Sequence, residues 1–241
     1  GLRSFNPAMV EEYNRIETDR RSTYLFCPTS TAVANLSQEG LTNGVYHVGD
    51  VMYDATLYFA QQAEQQSHLL EDLSIAPKAY YLATIHRAQT TDHPEQLANI
   101  LRAFAQIDTP IILPLHPRTR KTIEASTSLT ELVHQASNLH IIDSVSYMDM
   151  LVLEKHAKAI LTDSGGVQKE AYFHRIPCIT MRQETEWTET VESGWNTLVG
   201  TDTDKILHAL AHLAIPNTQI TEYGTGHAAQ TIIDILCQNE Y

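Results

Sequence analysis

The stretch Leu161-Thr162-Asp163-Ser164-Gly165-Gly166-Val167-Gln168-Lys169-Glu170 decides the fold. Ala157 to Leu161 is a short apolar run, which predicts a buried strand. Val167 to Phe173 predicts a helix. Asp163, Ser164, Gly165 and Gly166 therefore occupy a strand-to-helix turn. Ser is a favourable N-cap, and two glycines let a ligand approach the backbone closely. The start of a helix offers free N–H groups and the positive end of its dipole, which suits a phosphate. Glu170 lies roughly two turns into the helix, within reach of a hydroxylated group beside that phosphate. The plain alternative is a strand, a turn and a helix capped by Ser164, with no ligand.

Working outward, the same rhythm repeats. Strands are expected at Ala79–Thr84, Pro110–Leu115, Leu139–Ile142, Lys158–Leu161, Ile176–Thr180 and Thr197–Val199. Helices are expected at Pro94–Ile107, Arg118–Glu124, Ser128–Ala136, Tyr147–Lys155, Val167–Phe173, Glu186–Glu192 and Thr203–Leu213. Short apolar strands alternating with helices imply a parallel sheet covered on both faces. Such sheets bind ligands at the carboxyl ends of their strands. Those ends carry His86-Arg87, His116-Pro117-Arg118, Asp143 to Tyr147, the Ser164 turn, and Arg182. His suits proton transfer or phosphate contact near neutral pH, and Arg suits bidentate phosphate contact.

Upstream, a charged helix is expected at Val10–Arg20. A β-α-β passage follows over residues 23–50, then a long helix from Asp50 to Leu73. Two strands bury too little core to stand alone. This passage reads as the end of a larger α/β domain. The expected division is residues 1–50 as a remnant of an N-terminal domain and 51–215 as a C-terminal domain. Residues 216–241 would carry a last helix packing back toward the first domain.

The chain has 241 residues and a formal net charge of −13, which argues against a nucleic-acid backbone as partner. No apolar stretch approaches the ~18 residues of a membrane helix. Cys27, Cys178 and Cys237 lack metal-ligand spacing and an even framework, which fits a reducing cytoplasm.

Taken together, the segments GLRSFN (1–6), EEYNR (11–15), DRRSTYLFCPT (19–29), VGDVMYDA (48–55), HR (86–87), LPLHPR (113–118), TDSGGVQKEA (162–171) and RQETEWTETVESGWNTLVG (182–200) resemble the non-hydrolysing UDP-N-acetylglucosamine 2-epimerases. They span almost the whole chain in order. The resemblance implies an α/β GT-B-like fold of two Rossmann-like domains with parallel sheets, the N-terminal one incomplete in this sequence. It implies that Ser164, Gly165 and Gly166 hold a diphosphate, with Glu170 on the ribose and Val145 and Met150 facing the uracil. Arg182 would join the substrate contacts. Glu11 and His86 would be catalytic. Arg87 and His116, with Glu11 again, match positions where bacterial relatives bind a second, activating UDP-GlcNAc. The implied reaction interconverts UDP-GlcNAc and UDP-ManNAc, for cell-surface polysaccharide precursors. It runs by anti elimination of UDP to a 2-acetamidoglucal and re-addition after reprotonation on the other face. That path needs carboxyl groups for the C2 proton, and cations and N–H groups for the departing UDP, but no metal or redox cofactor. A homodimer is implied as well.

Two departures qualify the resemblance. The family has an N-terminal half ahead of the GLR segment, so the expectation is a chain lacking that half and having little activity alone. The family also often has Thr-Glu-Arg where this sequence has Thr185-Glu186-Trp187, a form found in relatives acting on UDP-2,3-diacetamido-glucuronate. The readings left open are an epimerase of that related sugar, a GT-B glycosyltransferase, and a non-catalytic UDP-binding fragment.

Overall fold

The computed structural model describes residues 1–7, 9–219 and 221–238. The chain divides into two compact units. The first comprises residues 1–58 together with the segment from Gln219 onward, and the second comprises residues 59–218.

In chain order the elements begin with α1 (Val10–Arg21), β1 (Leu25–Cys27), α2 (Ser30–Gln38), β2 (Val45–His47) and α3 (Val51–Gln66). There follow α4 (Leu69–Asp72), β3 (Tyr81–Thr84), α5 (Ala88–Thr91), α6 (Pro94–Phe104), β4 (Ile111–Pro114), α7 (Pro117–Glu124) and α8 (Thr127–Gln135). Next come β5 (Leu139–Ile142), α9 (Tyr147–His156), β6 (Ala159–Thr162), α10 (Gly165–Phe173) and β7 (Cys178–Thr180). The last are α11 (Thr188–Glu192), β8 (Asn196–Leu198), α12 (Thr203–Ala211) and α13 (Ala228–Gln238).

The second unit is built on a six-stranded parallel sheet in the order β5-β4-β3-β6-β7-β8. Successive side chains of a strand point to opposite faces, and the sequence exploits this strictly. Tyr81, Ala83, Ile111, Leu113, Ala159, Leu161 and Ile179 enter one core with α6, α7, α8 and α12. Tyr80, Leu82, Ile112, Ile160 and Cys178 enter another with α4, α9 and α10. Both faces are therefore covered, as the continuous apolar strands foretell. The strand order reverses at one place. From β3 the chain winds outward through β4 and β5, then returns to pair β6 against β3 and winds the other way. The crevice above the β3 and β6 ends is the topological switch point, where open α/β sheets bind ligands.

The first unit pairs β1 with β2 in parallel over a small core of Leu25, Cys27, Ala32 and Leu36. Tyr24, Phe26 and Tyr46 line up with ring centroids 6.0–6.4 Å apart. The C-terminal segment is tied into this unit by backbone contacts. Glu222 accepts from the Ser30 N–H at 2.7 Å, and the Tyr223 carbonyl accepts from the Asp50 N–H at 3.0 Å. Asp54 accepts the Ala228 and Ala229 N–H groups, which caps α13 from a distance of many residues.

Two local expectations change. The single helix expected over 50–73 is two helices, α3 and α4. Ser67 bonds through its hydroxyl to the Leu69 N–H and to Asp149, an alternative to continuing the helix. The short α5, directly after His86-Arg87, has too little apolar periodicity to be read from sequence.

Gly49 has φ +83°, and a Cβ there would lie 2.8 Å from the Tyr223 carbonyl oxygen. Gly49→Ala should destabilise the first unit by more than about 1 kcal/mol in urea denaturation. An unchanged midpoint would contradict this packing of the 222–224 turn on residues 48–50.

Candidate functional site

The site is assembled at the switch point of the second unit. β3 and β6 end in register, Thr84 beside Thr162. Asp163 follows β6 and is completely buried. Its carboxylate accepts the backbone N–H of His86 at 3.1 Å and that of Arg87 at 3.0 Å. The His86 Nδ1 lies 3.5 Å from the same carboxylate. One buried side chain thus ties the loop after β3 to the turn after β6.

Ser164 then caps α10, its hydroxyl accepting from the Val167 N–H. Its own N–H donates to the Thr162 hydroxyl at 2.9 Å. The first amides of a helix have no partners within it, so the Gly165 and Gly166 backbone is where an anion would meet free donors. Neither glycine has positive φ. A Cβ on Gly165 would only touch Trp187 Nε1 at 3.5 Å and Arg182 and Glu186 at 3.9 Å, which is ordinary contact. Neither backbone conformation nor internal packing therefore demands glycine at 165. Close approach of a ligand remains as the physical reason for it.

The wall beside this turn comes from the 182–187 loop. Arg182 and Glu186, both buried, form an ion pair at 3.2 Å. The Lys169 ammonium sits 4.2 Å above the Trp187 ring. The loop is fixed from behind by a buried polar network. Gln168 Oε1 accepts from the Thr185 hydroxyl at 2.6 Å and from Asn196 Nδ2 at 3.1 Å, and Asn196 also bonds Thr190 and Thr180.

His86 is half-buried, with its ring centroid 5.6 Å from that of His116. Burial pushes the His86 pKa below its ordinary value, against the opposing pull of Asp163, and His116 and Arg87 lower it further. It is therefore neutral at neutral pH. A proton on the Nδ1 that faces Asp163 leaves Nε2 as an acceptor. His116 caps α7, its Nδ1 accepting from the Arg118 N–H at 3.2 Å.

Of the residues singled out from the sequence, His86, Arg87, Ser164, Gly165 and Gly166 are brought together at the switch point, with His116 beside His86 and Arg182 beside Gly165. Arg182 is less available than expected, because its guanidinium is engaged by Glu186. Val145 and Met150 are partly buried against the core that Val167 also joins. Glu170 is buried and bonded by the Tyr147 hydroxyl. Glu11 belongs to the first unit, exposed in the first turn of α1. There its neighbour Glu12 makes the structural contacts, accepting from the Ser4 and Phe5 N–H groups and pairing with Arg15. Sequence reasoning gave no role to Glu154, Gln168 and Lys169, and placed Tyr147 only in the segment at the sheet's ligand edge. Gln168, Lys169 and Glu170 are consecutive buried polar residues in a short helix, a signal that could have flagged them. Among the described residues no cluster of three His, Cys, Asp or Glu side chains is placed to hold a metal ion. None of their helices is long and apolar enough to cross a membrane.

Comparison with known proteins gives a consistent set of likenesses. The sequence profile described as UDP-N-acetylglucosamine 2-epimerase matches residues 1–237. A Methanococcus maripaludis protein named UDP-N-acetylglucosamine 2-epimerase homolog is 47% identical over 98% of this chain and 66% of its own length. The UDP-2,3-diacetamido-2,3-dideoxy-D-glucuronate 2-epimerase of Pseudomonas aeruginosa is 42% identical over 99% of this chain and 66% of its own. The crystal structure of Methanocaldococcus jannaschii UDP-GlcNAc 2-epimerase in complex with UDP-GlcNAc and UDP superposes with a TM-score of 0.87 at 38% identity. It covers 99% of this chain and 67% of that one. The chain thus spans about two thirds of the length of the relatives it matches, 66% for the first two.

Replacing Asp163 by alanine would leave the partly buried His86 and Arg87 N–H groups without this acceptor. Asp163→Ala should lower the unfolding free energy by roughly 1–3 kcal/mol in urea denaturation. A loss below about 0.5 kcal/mol, the level of a plain surface change, would contradict the tether.

Proposed function

The chain belongs to the UDP-N-acetylglucosamine 2-epimerase family, and we propose that its second unit holds the UDP part of a 2-acetamido sugar nucleotide for inversion at C2. The observation that carries this reading is the turn after β6. It combines the amides of a helix start, a glycine that neither φ nor packing requires, and a buried tether to His86-Arg87 across the switch point. The Ser164-Gly165-Gly166 backbone receives the diphosphate, and Glu170 receives the ribose hydroxyls. Val145 and Met150, in the segment entering α9, face the base. His86 and Arg87 stand beside the diphosphate.

In the elimination step a carboxylate takes the C2 proton. The C–H electron pair forms the C1–C2 double bond, and the C1–O bond breaks with its pair leaving on UDP. Helix-start N–H groups and the neighbouring cations stabilise the charge that develops there. The return delivers a proton to the opposite face of C2, and UDP oxygen re-forms the bond to C1. Glu11 is our candidate carboxylate from the first unit, and neutral His86, with Nε2 left as an acceptor, is suited to proton transfer beside the departing UDP. The sugar is UDP-GlcNAc in our first reading. A uronate relative such as UDP-2,3-diacetamido-glucuronate is the second, because Trp187 stands at the site wall and a relative with that activity is 42% identical. The three cysteines are free thiols, which supports a reducing, cytoplasmic setting.

Calorimetric titration of the chain with UDP tests the nucleotide site. Gly165→Ala should leave the fold as stable or up to about 1 kcal/mol more stable, since Ala exceeds Gly as a helix former. Its UDP affinity should nevertheless fall at least about tenfold. Glu170→Ala should weaken UDP by roughly 1–3 kcal/mol. Wild-type UDP affinity in both variants would remove this turn from the site.

A further inference from the structure

Behind the proposed ribose contact lies a buried carboxyl that the reaction does not use. Glu154, on α9, is completely buried, and among the described residues neither of its carboxyl oxygens has a hydrogen-bond partner. Leaving an ionised carboxylate in such a place is very unfavourable. No cation faces it. Its neighbours are the Glu170 carboxyl on α10, within hydrogen-bonding reach, and the buried His174, whose Nε2 is 3.9 Å from Glu154 Oε2 and has no hydrogen-bond partner either. Cys178 on β7 and Tyr80 before β3 complete the surroundings, and the Tyr80 hydroxyl is committed to the Leu153 carbonyl at 2.7 Å. Lys169 acts on Glu170 rather than on Glu154. Burial drives the His174 imidazole down to about 4, so it brings no charge to Glu154 at neutral pH. Glu170 already accepts from Tyr147. A proton on Glu154 resolves the arrangement, because it turns an unsatisfied acceptor into a donor with the Glu170 carboxyl as its neighbour.

We propose that Glu154 is a positioning residue: it keeps its proton at neutral pH and donates it in a hydrogen bond to the Glu170 carboxylate, holding that carboxylate, with Tyr147, in the orientation that receives the ribose diol. The pair carries one proton and one negative charge. Burial raises the Glu154 carboxyl well above its ordinary range, and the neighbouring Glu170 charge adds to it. The consequence for binding rests on Glu170 being the ribose contact. The location of the proton does not.

The sign of the pH dependence follows from linkage. A carboxyl that keeps its proton in the folded state lowers stability as pH rises from the unfolded carboxyl value toward the folded one. His174 acts oppositely, but only below its ordinary value of 6.5. Cys178, raised to about 12, and Tyr80, also raised, contribute only as their unfolded forms begin to ionise. Between about pH 6.5 and 8 the slope is therefore dominated by the carboxyl pair.

The test uses the 241-residue chain with Glu154→Gln, which keeps a donor but cannot titrate, and Glu154→Met, which keeps the volume without a donor. Infrared spectra between about pH 6.5 and 8 should contain the carbonyl stretch of a buried protonated carboxyl, absent from Glu154→Gln. Stability should fall with pH in this window for the parent chain and stay flat for Glu154→Gln. In calorimetry Glu154→Gln should bind UDP within about threefold of the parent, and Glu154→Met about tenfold more weakly. No protonated-carboxyl band in the parent, or one that persists in Glu154→Gln, overturns the proposal. So does parental UDP affinity in Glu154→Met. If the parent shows the band but binds no UDP, the nucleotide reading fails while the proton on Glu154 stands. Should Glu154→Met fail to fold, the Glu154→Gln spectra and pH profile still decide the question.

Discussion

The site depends on the buried Asp163 carboxylate accepting the His86 and Arg87 amides. Two adjacent parallel strands leave a gap where their following loops part in opposite directions. Asp163 closes that gap from inside. It fixes where His86 and Arg87 stand and sets the path of the chain into α10. These bonds are made by the backbone N–H groups of His86 and Arg87 rather than by their side chains. The rest of the second unit supplies the rigidity this needs: two apolar cores clamp the β3 and β6 strands from both faces.

Around this tether the polar groups fall into two roles. Those toward the crevice are the α10 amides, His86 and Arg87. Those behind it pair with one another: Gln168 Oε1 with Thr185 and Asn196, and Arg182 with Glu186. The second set holds the 182–187 loop, and with it Trp187, against the turn. A family pattern with arginine in place of Trp187 would present a mobile cation there. Here an indole under the Lys169 ammonium makes a flatter wall.

Much of this was legible in the sequence. Strands such as Tyr81–Thr84 and Ala159–Thr162 are short, apolar and bounded by polar turns, so period and length identify them without tertiary information. Ser164-Gly165-Gly166 announces a capped helix start by residue type alone. What could not be read depends on which distant residues meet. The break at Ser67 comes from a bond to Asp149, and the capture of Arg182 from a turn that brings Glu186 back onto it. Glu154 sits in a sequence, Leu153-Glu154-Lys155-His156, that reads as the charged end of an exposed helix. Only the packing of α9 on α10 buries it. In the same way Glu11 and Glu12 look equivalent in sequence, and the Ser4–Phe5 turn selects Glu12 for the structural part.

The most direct measurement is amide NMR of the isotopically labelled chain during addition of UDP. If the turn after β6 receives the diphosphate, the largest shifts belong to the N–H groups of Gly165, Gly166 and Val167, with smaller ones at His86 and Arg87. Saturable shifts centred elsewhere, with residues 164–167 unmoved, would contradict the assignment of the switch point as the nucleotide site.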